Sequence, residues 1–431
     1  MKSTRNLLVI VRTSRSIELP LLLIAVLLCS IPFNAQTSHQ VNRSVLANAK
    51  PMFHLSNSAA AGGHIATRGN NGTLGVDSVV NFQSYFYLED LTQDPLFFGF
   101  SWPYTMVGSS PFSGEIEGPT VIGAPVVPVT VQLLDANGSV ATTPSGSPLI
   151  VRANALMSPT LNSPVFSTTN YTSSSSATQL PDAELRASFY NLTSSAWHTL
   201  LRPRALQAQT MSIPSGFYYY ALNPDGSCCD FVLLDATTFG NLLFPSIPTD
   251  TTTPIGALEN SGQIQTSQIT TLLFNNVYLY IGTLANCCVL GYHTYDLEPG
   301  SASNGYREKR YVVNYSSWIS PGLFQGGLAD VTALSHEMAE VFYDPFVGNQ
   351  TPIWLAPNGN CQNNLEVGDV IENLPNGVYS VALHGFTYHP QNVALLQWFA
   401  EDIPSNAING MYSYPNPVLT SPAYLANLNC Q

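Results

Sequence analysis

Residues 330–346 read "DVTALSHEMAEVFYDPF", and residues 360–369 read "NCQNNLEVGD". The first run predicts an α-helix. Val331, Leu334, Met338, Val341 and Phe342 recur at the three- and four-residue spacing that lines one helix face. Asp330 stands where an N-cap is expected, and Pro345 stops the helix just beyond Tyr343. At about 100° per residue, His336 and Glu340 fall one turn apart on the side away from the apolar stripe, with Glu337 beside them. An imidazole and a carboxylate stacked on one face, with a second carboxylate adjacent, let a metallohydrolase helix offer two metal ligands and a general base. A third ligand is expected from Glu366, with Asp369 as the second choice, because both follow a loop that can fold back over the helix. His293, His384 and His389 are reserve ligands. The plain alternative is a solvated helix face on which His336 and Glu340 form an ordinary i,i+4 pair.

The charge map favours the cation. After Arg310 the chain has no Lys or Arg, yet Asp330, Glu337, Glu340, Asp344, Glu366, Asp369 and Glu372 all follow. Buried carboxylates need a positive partner, and that segment has no basic side chain except His. Zinc is the first expectation, with manganese, iron or calcium admitted because two carboxylates make the site harder than two imidazoles would. With a formal net charge of −13 the chain has no global field for binding nucleic acid. No GxSxG elbow, Gly-rich phosphate loop or basic aromatic groove is present.

The first 35 residues join a basic run to the apolar "LLLIAVLLCSIPF", which has the length of a signal peptide. A secreted or periplasmic location is therefore expected after cleavage near Ala35, with no membrane association beyond that segment. Charged residues make up only 10% of the chain, which suits a secreted protein rich in turns and strands. Of the cysteines, Cys228, Cys229, Cys287, Cys288, Cys361 and Cys430 remain beyond residue 35. An even number behind a signal peptide reads as disulfides. The expectation is that the two vicinal pairs crosslink to each other and that Cys361 joins Cys430. A cysteine-rich zinc site would want CxxC spacing, which is absent.

Working outward, residues 36–75 are polar and Ala/Asn/Gly-rich and read as a flexible leader. Residues 76–168 alternate short β-rich runs with Pro and Gly and read as a β-rich N-terminal domain, with a turn at Asn137–Gly138. Residues 169–181 form a low-complexity linker, and 182–431 a second domain opened by a helix capped at Asp182. Its strand candidates include "CCDFVLLD", "TTLLFNNVYLYIG" and "KRYVVNYSSWI". "VYSVALHGFTY" reads as a hairpin and "PQNVALLQWFAED" as a last helix. Asp344 is assigned to the turn after the site helix, or to a hydrogen bond behind the ligands. Tyr388 and His389 are assigned to packing, or to steadying an oxyanion.

"SHEMAE" resembles the His-Glu-x-x-His helix of the zincin metallopeptidases, with Glu340 where the second His would stand. Glu366-x-x-Asp369 sits about where gluzincin-type enzymes supply a carboxylate ligand. Residues 285–400 also resemble the secreted plant Exordium (phosphate-induced) proteins, which carry a similar His-Glu-x-Ala-Glu helix and a later Glu-x-x-Asp. The first resemblance implies an α+β fold, a mixed sheet with an active-site helix in a zincin-like C-terminal domain behind the small β-rich domain. It also implies zinc-dependent hydrolysis of a peptide or protein substrate with Glu337 as base. The second implies a non-catalytic extracellular or cell-wall protein with a structural metal. The many Tyr, Trp and Asn residues suggest a third option, a carbohydrate-binding or adhesive surface protein.

Overall fold

Ala124 through Val131 are buried without a break within the long strand Thr120–Leu133. Such an unbroken, Val-rich run marks a strand covered on both faces, as in sheets with parallel neighbours. In the computed structural model, which describes residues 39–47, 49–55, 75–88, 99–112 and 118–423, this strand pairs in parallel with Thr199–Ala205, Gln209–Ile213 and Ile269–Asn275. The first of these partners ends at Val126 and the second begins at Val129, so Pro128, which has no N–H to donate, falls in the gap. Ile150–Arg152 joins antiparallel. Beyond Ile269–Asn275 lie Lys309–Trp318, in parallel, and Gly291–Glu298, antiparallel, which completes seven strands.

The protein is therefore a strand-rich α+β structure with several sheets. The division expected at 169–181 is not a boundary in this sheet. Thr120–Leu133, from the expected N-terminal domain, is hydrogen-bonded between strands of the expected C-terminal one, and His39–Gln431 forms one compact unit. A strand this apolar cannot remain in a small separate unit without leaving one face uncovered.

The helix Thr332–Tyr343 lies across Lys309–Trp318 and Gly291–Glu298 and also packs on the helix Leu180–Ser188 and the strand Phe100–Val107. All twelve of its residues are buried, so the face carrying His336 and Glu340 meets protein and is not solvated. Asp330 does not cap it. The residue before the helix is Val331, and Asp330 adopts φ +40° while its carboxylate accepts from His389 N at 2.8 Å and lies 2.6 Å from His389 Nδ1. His389 is thus tied to Asp330, and Tyr388 donates its hydroxyl to Pro159 O. Asp182 is turned inward, accepting from Thr178 and Thr199 N. The hairpin Val381–Leu383/Phe386–Tyr388 forms as expected, whereas the last helix is only Leu396–Phe399.

A second sheet orders Cys287–Val289, Val277–Tyr280, Phe231–Asp235 and Tyr218–Ala221. Cys228 lies at bonding distance from Cys229, and Cys287 from Cys288, whereas the expectation linked the two pairs to each other. Cys430, the expected partner of Cys361, lies outside the described residues, as do residues 1–38 with their expected signal peptide. The leader is not free chain where it is described. Met52 N donates to Cys288 O and Leu290 N to Met52 O, both at 2.8 Å, so Lys50–Phe53 runs beside the edge strand Cys287–Val289. No helix among the described residues is long and apolar enough to cross a membrane.

Candidate metal centre

The site helix projects His336 into a fully buried space. Its Nδ1 faces Gln391 Oε1 at 3.3 Å, and Gln391 is held with its amide nitrogen donating to Gly368 O at 2.8 Å. That orientation presents an acceptor, so the imidazole N–H belongs on Nδ1 and the lone pair on Nε2. Nε2 lies 3.0 Å from Glu340 Oε1 and 3.4 Å from Asp369 Oδ1. Ligand atoms of His336, Glu340 and Asp369 all lie within 4.8 Å of one another. A lone pair and two carboxylate oxygens facing one another repel unless a cation stands between them.

Glycine lets the pieces approach. A Cβ on Gly368 would come within 2.6 Å of His336 Cε1 and Nδ1, and one on Gly291 within 2.6 Å of Glu337 Oε1. The Gly368 and Asp369 amides also donate to Glu340 Oε1, at 3.1 and 3.3 Å.

A second imidazole repeats the pattern. His293, from the strand Gly291–Glu298, directs Nε2 to Asp344 O at 3.1 Å. Its Nδ1 then faces Glu340 Oε2 at 3.4 Å and Glu337 Oε2 at 3.5 Å. Glu366 does not join His336; its Oε2 lies 3.9 Å from His293 Nε2. Of the residues expected from sequence, His336, Glu340 and Asp369 are thus brought together, Glu337 is adjacent, and Glu366 belongs to the neighbouring imidazole. Asp344 holds the turn after the helix, accepting from Gly348 N and Asn349 N at 2.9 Å each. His54 and Gln391 were not expected. His54 Nδ1 stands 3.2 Å from Asp369 Oδ2, and Phe53 stacks on the His336 ring with 4.2 Å between centroids. A lone His in a polar, Gly-rich stretch carries no spacing signal that would have singled out His54.

The electrostatics follow from burial without basic side chains. Among the described residues the Lys and Arg ion pairs lie elsewhere, at Arg43–Asp230, Lys309–Glu298 and Arg310–Glu308. Burial pushes Glu337 up to about 8, and burial and Glu340 push Glu366 well above the carboxylate range. Burial alone would lower His336, but Glu340 and Asp369 raise it well above its ordinary value. Burial would raise Asp369, yet His54 and His336 hold it below the usual range.

The residues present fit a divalent metal. His336 Nε2, Asp369 Oδ1, Glu366 Oε2 and both Glu337 oxygens are buried and make no well-formed hydrogen bond, the first three facing imidazole or carboxylate at 3.0–3.9 Å. Such atoms are rare in folded proteins and costly unless an unseen ion or proton satisfies them. Nitrogen with carboxylate oxygen suits zinc, manganese or iron. A cleft of about 310 Å³ opens beside the centre, lined in part by Phe53, His54, Tyr292, His293, Glu340 and Glu366. That volume is at the lower end of small-molecule and peptide-side-chain pockets. No protein-family model matches the chain, and neither does any curated protein or solved structure.

Proposed function

We propose that the protein is a secreted metal-dependent hydrolase that cleaves peptide bonds, with a divalent cation, zinc first, held by His336, Glu340 and Asp369. The observation that carries this reading is the convergence of His336 Nε2 on Glu340 Oε1 and Asp369 Oδ1, with Nδ1 tied to Gln391 and, among the described residues, the Lys and Arg ion pairs made elsewhere. It replaces Glu366, the ligand first expected, by Asp369. A divalent metal bound there supplies Lewis acidity and brings the pKa of water towards neutrality. Glu337, next to His336 on the helix and facing His293, is the carboxyl group placed to take up and return a proton. His293 and Glu366 line the cleft where a peptide carbonyl would be polarised and its leaving amine protonated. Asp344 and Gln391 fix the two imidazole tautomers from behind, as outer hydrogen bonds do in metal sites.

A second reading, a non-catalytic extracellular protein whose cation only stabilises the fold, is favoured by one observation: His336, Glu337 and Asp369 are wholly buried. Metal analysis of the purified protein, paired with a Glu337→Ala variant, separates the two. Stoichiometric metal in both forms, with peptide cleavage lost in the variant, supports the hydrolase. Metal without cleavage in either form supports the structural role. A metal-free protein that takes up none on dialysis against zinc sinks both.

A further inference from the structure

Residues 50–55, read from sequence as leader, run across the mouth of the centre. The segment is fixed by the ladder to Cys288 and Leu290 and by Asn373 Nδ2 donating to Pro51 O at 3.1 Å. Phe53 is 1% exposed against the His336 ring, and the half-buried His54 next to it reaches Asp369.

We infer that His54, Asp369 and Glu372 form a second cation position, bridged to the first through Asp369, and that this cation fastens the N-terminal strap over the centre. Ligand atoms of the three residues lie within 4.8 Å of one another. Asp369 divides its oxygens, with Oδ1 towards His336 and Oδ2 towards His54, where Oδ2 also accepts from the Gln362 side-chain amide. A carboxylate used in this way is the usual bridge between two metal ions about 3.5–4 Å apart. Glu372, 1% exposed, has Oε2 held by Asn360 at 2.8 Å, while Oε1 is buried without a hydrogen-bond partner. His54 Nδ1 faces Asp369 Oδ2 at 3.2 Å. An unpartnered carboxylate oxygen of Glu372, an imidazole nitrogen facing a carboxylate and a shared Asp form an N/O donor set for a zinc- or manganese-class ion. The inference builds on the cation site proposed above, with which it shares Asp369.

The test uses the full chain, stripped with chelator, reloaded with zinc and desalted. Zinc per chain is then measured, together with amide exchange of residues 49–55. Two zinc ions per wild-type chain are expected, one in His54→Ala and one in Glu372→Gln, with exchange of the strap slowed by zinc only in the wild type. Glu372→Gln keeps the Asn360 contact, so a folding defect in one variant does not decide the outcome. One zinc in the wild type, two retained in both variants, or strap exchange indifferent to zinc overturns the inference. No zinc in the wild type overturns the cation reading of the whole centre as well, whereas one zinc with peptide cleavage intact refutes only the second position.

Discussion

Gly368→Ala tests whether the centre depends on close approach of the 366–369 loop to the site helix. The added Cβ would sit 2.6 Å from His336 Cε1 and Nδ1, where ordinary van der Waals contact begins near 3.4 Å. A gap of roughly 0.8 Å must open. The ring cannot supply it freely, because it is fully buried, stacked on Phe53 and bonded to Gln391. The loop cannot either, because Gly368 N holds Glu340 and Gly368 O holds Gln391. Overpacking a buried contact of this kind costs about 1–3 kcal/mol. The same shift pulls Asp369 from His336, and disturbing the shell of a metal site typically lowers affinity about 10–100-fold. Urea unfolding and zinc titration of wild type and variant measure both effects. Gly123→Ala is the control, since its Cβ meets only the Gln268 side chain, at 3.1 Å. Wild-type zinc affinity in Gly368→Ala would refute the placement of the loop, and with it the choice of Asp369 as ligand.

Two further outcomes are expected. Glu259, buried beside Asp296 and Glu298, is pushed up to about 10 by burial and then by those two acids. Its folded pKa is raised, so the stability tied to its proton is complete below about 4.5 and is lost as pH rises towards 10. Glu259→Gln, which does not titrate, should therefore gain thermal stability relative to wild type as pH rises from 5 to 8; a gap that stays constant with pH contradicts this. Proteolysis without reduction should release Cys228–Cys229 and Cys287–Cys288 each within a single peptide. Mass spectra showing the two segments linked to each other would restore the pairing expected from sequence.

The helix was legible because its signals are local. Apolar residues at helical spacing, Pro345 after the last turn, and His336 with Glu340 one turn apart are properties of neighbours in the chain. The lack of Lys and Arg beyond Arg310 is also plain in the sequence, and it meant that a buried carboxylate there has no Lys or Arg partner within its own segment, which favoured a bound cation. The approach of each vicinal cysteine sulfur to its neighbour was not legible, because pairing is a matter of which sulfurs the backbone brings together, and sequence separation does not determine that.

Only the tertiary structure shows which of Glu366 and Asp369 lies against His336. Both follow the same loop, but Gly368 turns the backbone against the His336 ring, carrying Asp369 onto Nε2 and leaving Glu366 to His293. Strand pairing brought in His293 and the edge ladder brought in His54, from positions 43 and 282 residues before His336 in the chain. The sequence by itself determined which helix carries the donors and that few cations could answer them. Folding determined which donors converge, because convergence depends on long-range packing that no local spacing encodes.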